Sequence, residues 1–184
     1  MNYPPGTILY FTTFAFKGGG GVNGPASKPK YFIVLRNLDN ELVVACLPSS
    51  VDRIPANLEQ THGCKQFTNG GFTAYLFEAN RSITTNEWGF PLTTYVYPFG
   101  VETYDKGELS QQNPRLGDDF QLIGRLVESE FTGLVDCLRA SSDIKYKMKR
   151  GLEGAAYGSS EAGAAVVSEP RADWTPDHTS AKPT

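Results

Sequence analysis

The segment KPKYFIVLRNLDNELVVACLPSS, residues 28–50, carries a strong fold signal. Its two apolar runs, YFIVL and ELVVACL, have the composition of buried β-strands. The polar stretch NLDNE between them is typical of a turn. The segment therefore predicts a β-hairpin, with lysines at the entrance of the first strand and serines directly after the second.

Further strands are predicted on both sides of this hairpin. ILYFTTFAF predicts a first strand at about residues 7–16, in which alternation places Tyr10, Phe14 and Phe16 on one face and Phe11 on the other. KQFT and GFTAYLF, joined by an Asn-Gly pair, predict a second hairpin. FPLTTYVYPFGVETY and FQLIGRL supply strand material further towards the C-terminus.

Residues 17–29 separate the first strand from the next and contain four consecutive glycines. This composition predicts a mobile loop without a strand or helix of its own. Because a strand rather than a helix follows, the loop lacks the helix N-terminus that binds phosphate. Five or six short strands with no helical pattern between them predict a mainly β fold, a small barrel.

Helical periodicity begins only after the last strand, where one apolar stripe is placed to pack against the barrel. The stripe consists of Val127, Phe131, Leu134, Val135 and Leu138. A short second helix is predicted over IKYKMKR, with Ser141, Ser142 and Asp143 as its capping signal. Beyond it, Ala, Gly, Ser and Pro dominate without periodicity, which predicts a disordered tail over 154–184 after a barrel domain over 1–153.

Composition limits the classes of partner. The chain has 17 Lys and Arg against 20 Asp and Glu, a net charge of −3, so no global positive field attracts nucleic acid or a membrane surface. No apolar run approaches the roughly 18 residues of a membrane span, and the N-terminal sequence lacks a signal-peptide pattern. We therefore expect a cytoplasmic protein that makes no membrane contact.

The cysteines and the short motifs give no sign of a cofactor. Cys46, Cys64 and Cys137 are odd in number and widely spaced, and no CxxC pair occurs. This pattern supports neither a disulfide framework nor a zinc site, so we expect reduced thiols. HExxH, Walker, GxSxG and GxGxxG motifs do not occur in the sequence. The prediction is that the protein uses neither a metal nor a cofactor.

The order of elements resembles that of the PemK/MazF family of bacterial toxins. A strand that begins GTILYF leads through a glycine-rich loop to a basic residue, an apolar strand, a turn and a second apolar strand that ends in PSS. FPLTTYVYPFGVETYDKGEL and VESEFTGLVDCLRA resemble later pieces of the family, so the resemblance covers roughly residues 5–152. It implies an SH3-like small barrel that cleaves single-stranded RNA without a metal, dimerises and is bound by an antitoxin.

The resemblance also implies a catalytic pair, Lys30 and Ser49. The family's catalytic arginine corresponds to Lys30, or to Lys28 in the alternative alignment, and its threonine corresponds to Ser49, with Ser50 adjacent. Serine preserves the hydroxyl group of threonine. Lysine keeps the positive charge of arginine but not its bidentate contact with phosphate.

Four residues are assigned to RNA binding: Lys28, Arg36, Ser50 and His62. Metal-free RNA cleavage uses the 2′-hydroxyl group as nucleophile and requires a base, an acid and a cation near the phosphorus. The lysine and the serine do not supply the base. His62, in QTHGCK, is the remaining candidate for that role.

Each of these residues also has an ordinary structural interpretation. The lysines can be solvated charges that discourage edge pairing at a strand entrance. The serines can cap a strand or a turn, and His62 can be an exposed loop residue. A non-catalytic barrel module that binds RNA or a partner protein or peptide is therefore the alternative function.

Overall fold

The computed structural model of the protein describes residues 1–21, 24–47, 61–67, 72–153 and 155–158. These residues form a mainly β fold with helices towards the C-terminal end, which confirms the predicted fold class at this level. The strands are β1 (Thr7–Gly21), β2 (Gly24–Asn37), β3 (Glu41–Cys46), β4 (Gly63–Phe67), β5 (Phe72–Phe77), β6 (Thr94–Val96), β7 (Val101–Asp105) and β8 (Phe120–Arg125). The helices are α1 (Lys106–Gln112), α2 (Glu128–Ala140) and α3 (Tyr146–Gly151), and a 3₁₀ turn spans Pro98–Gly100.

Five strands form one antiparallel sheet in the order β7-β3-β2-β1-β8. The first three strands are hairpin neighbours, and β8 returns to pair with β1. Within the described residues this sheet is not closed, and β7 and β8 are its edges. Strands β4, β5 and β6 form a separate three-stranded antiparallel sheet, inserted in the chain between β3 and β7.

The five-stranded sheet buries side chains on both faces. One face contributes Ile33 to a cluster that also contains Phe77 of β5 and Leu134 of α2. The opposite face contributes Phe32 to a second cluster, which contains Leu109 of α1. Burial on both faces explains why β2 and β3 read as continuous apolar runs instead of alternating ones.

Both predicted hairpins are confirmed. β2 pairs antiparallel with β3, with Phe32 opposite Cys46 and Val34 opposite Val44. β4 pairs antiparallel with β5. The Asn-Gly turn predicted between these last two strands lies outside the described residues.

The prediction that the loop over 17–29 has no strand of its own is wrong for the described part of that segment. β1 continues to Gly21 and β2 begins at Gly24, with these two residues opposite each other and Gly20 opposite Pro25. The register shifts between Ala15 and Gly20. Backbone hydrogen bonds between strands need no side chains, so strand pairing resumes at the glycines despite their low strand propensity. The β1–β2 hairpin therefore extends beyond the apolar part of both strands.

The alternation predicted for the first strand is interrupted by an irregularity. The register of β1 against β2 shifts between Phe11 and Phe14. Both phenylalanines consequently pack in the second cluster, while Tyr10 belongs to the cluster on the other face. An extra residue in one strand reverses the face that the following residues present. The side chain of Phe16 lies outside the described part of the structure.

The prediction of three reduced thiols is wrong. Cys64 on β4 and Cys137 on α2 form a disulfide with their Cα atoms 5.5 Å apart, and Cys46 is a free thiol. The two half-cystines are 73 residues apart in the sequence. They meet because α2 packs against β4 and β5, and such a tertiary contact leaves no trace in cysteine spacing.

The two C-terminal helices differ in how well the sequence predicts them. In α2 the stripe residues Phe131, Leu134, Val135 and Leu138 are buried, as predicted, and Val127 is the N-cap. α3 begins later than predicted, with Lys145 as its N-cap, so the Ser-Ser-Asp capping signal is wrong. Asp143 instead accepts a hydrogen bond of 3.2 Å from the backbone N–H of Thr73.

Helix α1, between β7 and β8, is absent from the sequence prediction. Asp105 caps it by accepting a hydrogen bond of 2.8 Å from the backbone N–H of Glu108. At 7 residues, the helix is too short for apolar periodicity to reveal it.

Two other predictions concern membrane spans and the C-terminal tail, and only the described residues bear on them. No helix among those residues is long and apolar enough to cross a membrane. The predicted disordered tail lies outside them from residue 159 onward.

Candidate functional site

Lys30 lies on β2 beside the end of β3. Its side chain is buried, with a relative exposure of 9%, and its Nζ donates a hydrogen bond of 2.7 Å to the carbonyl oxygen of Leu47. Burial lowers the pKa of Lys30 below its ordinary value. The lysine therefore anchors the strand end that leads, two residues later, to Ser49. Ser49 and Ser50 lie outside the described residues.

The surroundings of Lys30 are polar but not nucleophilic. The hydroxyl group of Tyr104 donates a hydrogen bond of 2.5 Å to Oε2 of Glu102, and Cys46 Sγ lies 3.8 Å from the same hydroxyl. Burial raises the pKa of the Cys46 thiol to about 12. The thiol is therefore protonated at neutral pH and does not serve as a nucleophile.

The other predicted basic residues of β2 lie apart from this anchor. Lys28 is exposed and lies opposite Phe14 of β1. Arg36 lies six residues beyond Lys30, about 20 Å along an extended strand. Its Nη1 donates to the carbonyl oxygens of Gly151 and Glu153, at 3.2 and 2.6 Å. The structure therefore does not bring Arg36 and Lys30 into one site.

His62 is mostly buried, so its interpretation as an exposed loop residue is wrong. Its side chain is 15% exposed, and Nε2 lies 2.8 Å from Oε2 of Glu130. The hydroxyl group of Tyr75 donates to the same carboxylate oxygen at 2.9 Å. Arg81 Nε lies 3.8 Å from the other oxygen, Oε1. We call these four residues the Glu130 cluster.

Three elements hold the Glu130 cluster together. His62 directly precedes β4, Tyr75 lies on β5, and Glu130 lies in the first turn of α2. The disulfide joins β4 to α2, so it links the elements that carry the histidine and the carboxylate. Gly133 leaves room for the tyrosine, since a Cβ atom there would lie 3.1 Å from the Tyr75 hydroxyl.

The contacts of the Glu130 cluster distinguish the two nitrogens of its imidazole. An ionised carboxylate only accepts hydrogen bonds, so Nε2 of His62 is the donor to Glu130, and Nδ1 is the nitrogen that does not contact the carboxylate. In the described part of the chain, Nδ1 is shielded from solvent and has no hydrogen-bond partner. Burial and the charge of Glu130 raise the pKa of Tyr75, so its hydroxyl remains a donor.

This arrangement has the parts that acid–base chemistry requires. A carboxylate orients the imidazole and stabilises its protonated form, which is the relation between the acid and the histidine in many hydrolytic sites. Arg81, whose side chain is 48% exposed, places a cation beside them within reach of solvent. The Glu130 cluster is therefore able to move a proton and to stabilise a developing anion.

Sequence reasoning missed Tyr75, Arg81 and Glu130. Glu130 follows His62 by 68 residues, and each of the three reads as an ordinary strand, loop or helix residue. An acidic residue in the first turn of a helix is expected on dipole grounds alone. No local pattern therefore distinguishes Glu130 from a solvated residue, and only the packing of α2 on the second sheet reveals its role.

Among the residues described, no group of three or more His, Cys, Asp or Glu side chains is placed to hold a metal ion. The chain matches no protein-family model, no curated protein and no solved structure.

Proposed function

We propose that the protein is a metal-independent endoribonuclease of the PemK/MazF type, the toxin of a toxin–antitoxin pair, acting on single-stranded RNA. The observation that carries the proposal is the Glu130 cluster, in which Glu130 orients His62 beside a half-exposed Arg81. The Glu130 cluster supplies the base that Lys30 and Ser49 lack.

The strand order supports the proposed SH3-like barrel. Taken along the chain, β1, β2, β3 and β7 form a meander, and β8 returns to the free edge of β1. An antiparallel sheet of this order closes into a small barrel when its two edge strands approach each other. α1 connects these two edges, and its Leu109 packs on the sheet face that would line the interior of the barrel.

In the proposed reaction, Nδ1 of His62 takes the proton of the 2′-hydroxyl group while the 2′-oxygen attacks the phosphorus. The bond from phosphorus to the 5′-oxygen breaks, that oxygen takes a proton from water, and a 2′,3′-cyclic phosphate forms. The imidazolium of His62 then gives its proton to the hydroxide ion that remains, which restores the base and the water. Glu130 stabilises the imidazolium, and Arg81 stabilises the charge on the phosphorane. Because Nδ1 is shielded from solvent, the RNA must displace neighbouring side chains to reach it.

Lys30 and Ser49 keep a place in this proposal. The ammonium group of Lys30 is already bonded to the carbonyl oxygen of Leu47, so the lysine acts as a positioning residue for the strand end. Ser49 occupies the position at which the resemblance expects a hydroxyl group near the scissile phosphate.

The test is the cleavage of labelled single-stranded RNA in the presence of EDTA. We expect the parent protein to produce 2′,3′-cyclic phosphate ends, and His62→Gln to lower kcat/KM by about 100-fold or more. His178→Gln is the matched control, because it changes the other histidine of the chain, and its activity should equal that of the parent. Absence of cleavage by the parent, or equal activity of a folded His62→Gln variant, refutes the proposal.

A second candidate function is a non-catalytic barrel module that binds RNA or a partner protein or peptide. The observation that favours it is the hydrogen bond from Lys30 to Leu47, which engages the cation expected at the phosphate. Expression in bacteria separates the two functions. An endoribonuclease arrests growth and His62→Gln relieves the arrest, whereas a binding module arrests growth in neither form.

The proposal includes an antitoxin partner, a homodimer and a cytoplasmic location. Disulfides are uncommon in the cytosol, so the Cys64–Cys137 bond weighs against the last of these. Sedimentation velocity on the purified protein tests the dimer. Co-purification with the product of an adjacent gene tests the antitoxin.

A further inference from the structure

An open cavity of about 560 Å³ lies between β2 and α3. Its lining residues are Arg36, Tyr146, Lys147, Arg150, Gly151 and Glu153. We call it the α3 cavity. It has three cationic side chains and one carboxylate, in a chain whose net charge is −3. The α3 cavity is therefore a local positive patch on an acidic protein.

We propose that the α3 cavity binds single-stranded RNA, with a backbone phosphate on its cations and a base stacked on Tyr146. Tyr146 is 76% exposed. It lines the same cavity as Lys147 and Arg150. Aromatic faces next to cations are what proteins use to hold single-stranded nucleic acid, because every base has a face that stacks.

The guanidinium group of Arg36 is held by only one of its nitrogens. Its Nη1 is bonded to the carbonyl oxygens of Gly151 and Glu153. Its Nε and Nη2 make no hydrogen bond within the described residues. A guanidinium group held at one nitrogen loses little further freedom when its remaining N–H groups bind a phosphate, and its planar fork fits two phosphate oxygens.

The exposed ring favours RNA over an acidic protein segment. An acidic segment would satisfy the three cations but would leave the exposed ring of Tyr146 without a partner. RNA uses both the cations and the ring. The choice of RNA rests on the proposed function, whereas the position of the site rests only on the α3 cavity.

Fluorescence anisotropy with a labelled 12-nucleotide RNA tests the site. We expect Lys147→Gln/Arg150→Gln to raise the Kd about tenfold, and to lower the slope of log Kd against log salt by about 1.4, since each lost contact removes about 0.7. Tyr146→Ala should raise the Kd about fivefold or more. Lys145→Gln/Lys149→Gln is the control, because it makes the same charge change on exposed residues that do not line the cavity.

Two results overturn the α3 site. One is an equal loss of affinity in both double variants, which would indicate a diffuse charge effect. The other is competition by polyglutamate as strong as competition by unlabelled RNA, which would indicate an acidic partner. Loss of RNA affinity confined to the cavity variants supports the site.

Cleavage assays on the same variants separate this site from the proposed enzyme. His62→Gln should fail to cleave RNA, whereas Lys147→Gln/Arg150→Gln should lose RNA affinity. If the parent binds RNA through the α3 cavity but cleaves none, the endoribonuclease is refuted and the α3 site stands. If the parent cleaves RNA and the cavity variants bind and cleave it equally well, the α3 site is refuted and the endoribonuclease stands.

Discussion

At the scale of single residues, the carboxylate of Glu130 links stability to the proposed chemistry. It accepts hydrogen bonds from His62 and Tyr75 and lies within ion-pair distance of Arg81, with 10% of its side chain exposed. Burying a carboxylate is unfavourable unless partners compensate for the lost water. A substitution in the Glu130 cluster therefore changes folding as well as activity, and both must be measured.

Replacement of Tyr75 by phenylalanine isolates one of these hydrogen bonds. The ring contacts with His62 and Phe77 remain, but Glu130 loses the hydroxyl donor. We expect the free energy of unfolding to fall by about 1.5–3 kcal/mol, the range for a hydrogen bond to a charged group. Urea denaturation measures it. Tyr146→Phe removes an exposed hydroxyl and should leave the stability unchanged; an equal effect of both variants contradicts the assignment.

Lys30 should make the free energy of unfolding depend on pH in the alkaline range. Its folded pKa lies below the ordinary value of 10.5, so between the two values the unfolded chain binds more protons than the folded one. The titration of Lys30 therefore makes the free energy of unfolding rise with pH in that interval. Below the interval the lysine is protonated in both states and adds nothing to the pH dependence.

The variant Lys30→Met lacks this titration but keeps the tyrosines, which also titrate at alkaline pH. The difference in stability between the parent and Lys30→Met therefore reports the contribution of Lys30 alone. Urea denaturation at a series of pH values up to about 10.5 measures the difference. We expect the parent to gain stability relative to the variant as the pH rises. A flat or falling difference contradicts the buried, destabilised ammonium group.

At the scale of elements, the sequence predicts those structures whose signal is local. The hairpin from residues 28–50 follows from two apolar runs and a polar turn, and α2 follows from its stripe. The extension of β1 to Gly21 was not predictable, because a backbone ladder between glycines has no side-chain signal. The irregularity after Phe11 was not predictable for a similar reason, since an alternating sequence does not reveal an extra residue in one strand.

The disulfide between β4 and α2 is the element-scale feature with the clearest energetic consequence. It closes a loop with a sequence separation of 73 residues, for which the chain-entropy estimate is about 4 kcal/mol of stabilisation. We expect a reductant to lower the free energy of unfolding of the parent by about that amount, and to leave Cys64→Ser/Cys137→Ser unchanged. Denaturant titrations with and without reductant measure the effect.

Thiol counting gives an independent result for the same bond. Under denaturing conditions without reductant, the parent should react with one equivalent of Ellman's reagent, at Cys46, which is the free thiol. Three equivalents would show that the bond is absent. They would restore the sequence expectation of reduced cysteines.

At the scale of the whole molecule, the candidate site is made by contacts between distant segments. The sequence singles out His62 and Lys30 but not their partners, because Glu130 and Leu47 are ordinary residues in their own segments. His62 acquires its carboxylate only when α2 packs on the second sheet. Lys30 acquires its carbonyl partner only when β2 and β3 pair. Residue type was thus predictable at two positions, whereas the chemistry at both depends on tertiary structure.

The end of the described chain returns to its beginning, and this contact leads to a last prediction. Arg125 of β8 donates hydrogen bonds of 2.9 Å to the carbonyl oxygens of Pro5 and Gly158, and its guanidinium group lies 3.9 Å from the ring centre of Tyr157. The same ring packs 5.9 Å from that of Phe131 on α2. Residues 155–158 therefore join both ends of the described fold to α2.

We expect Tyr157→Ala to lower the free energy of unfolding by about 1–3 kcal/mol, because it removes a cation–π contact and a ring that packs on the core. Trp174→Ala is the control, since it removes a larger ring from the segment that the sequence predicts to be disordered, and it should leave the thermal midpoint unchanged. Scanning calorimetry of both variants measures the difference. A loss of stability in Trp174→Ala equal to that in Tyr157→Ala would show that the folded unit continues past residue 158 and that the predicted domain boundary near residue 154 is wrong.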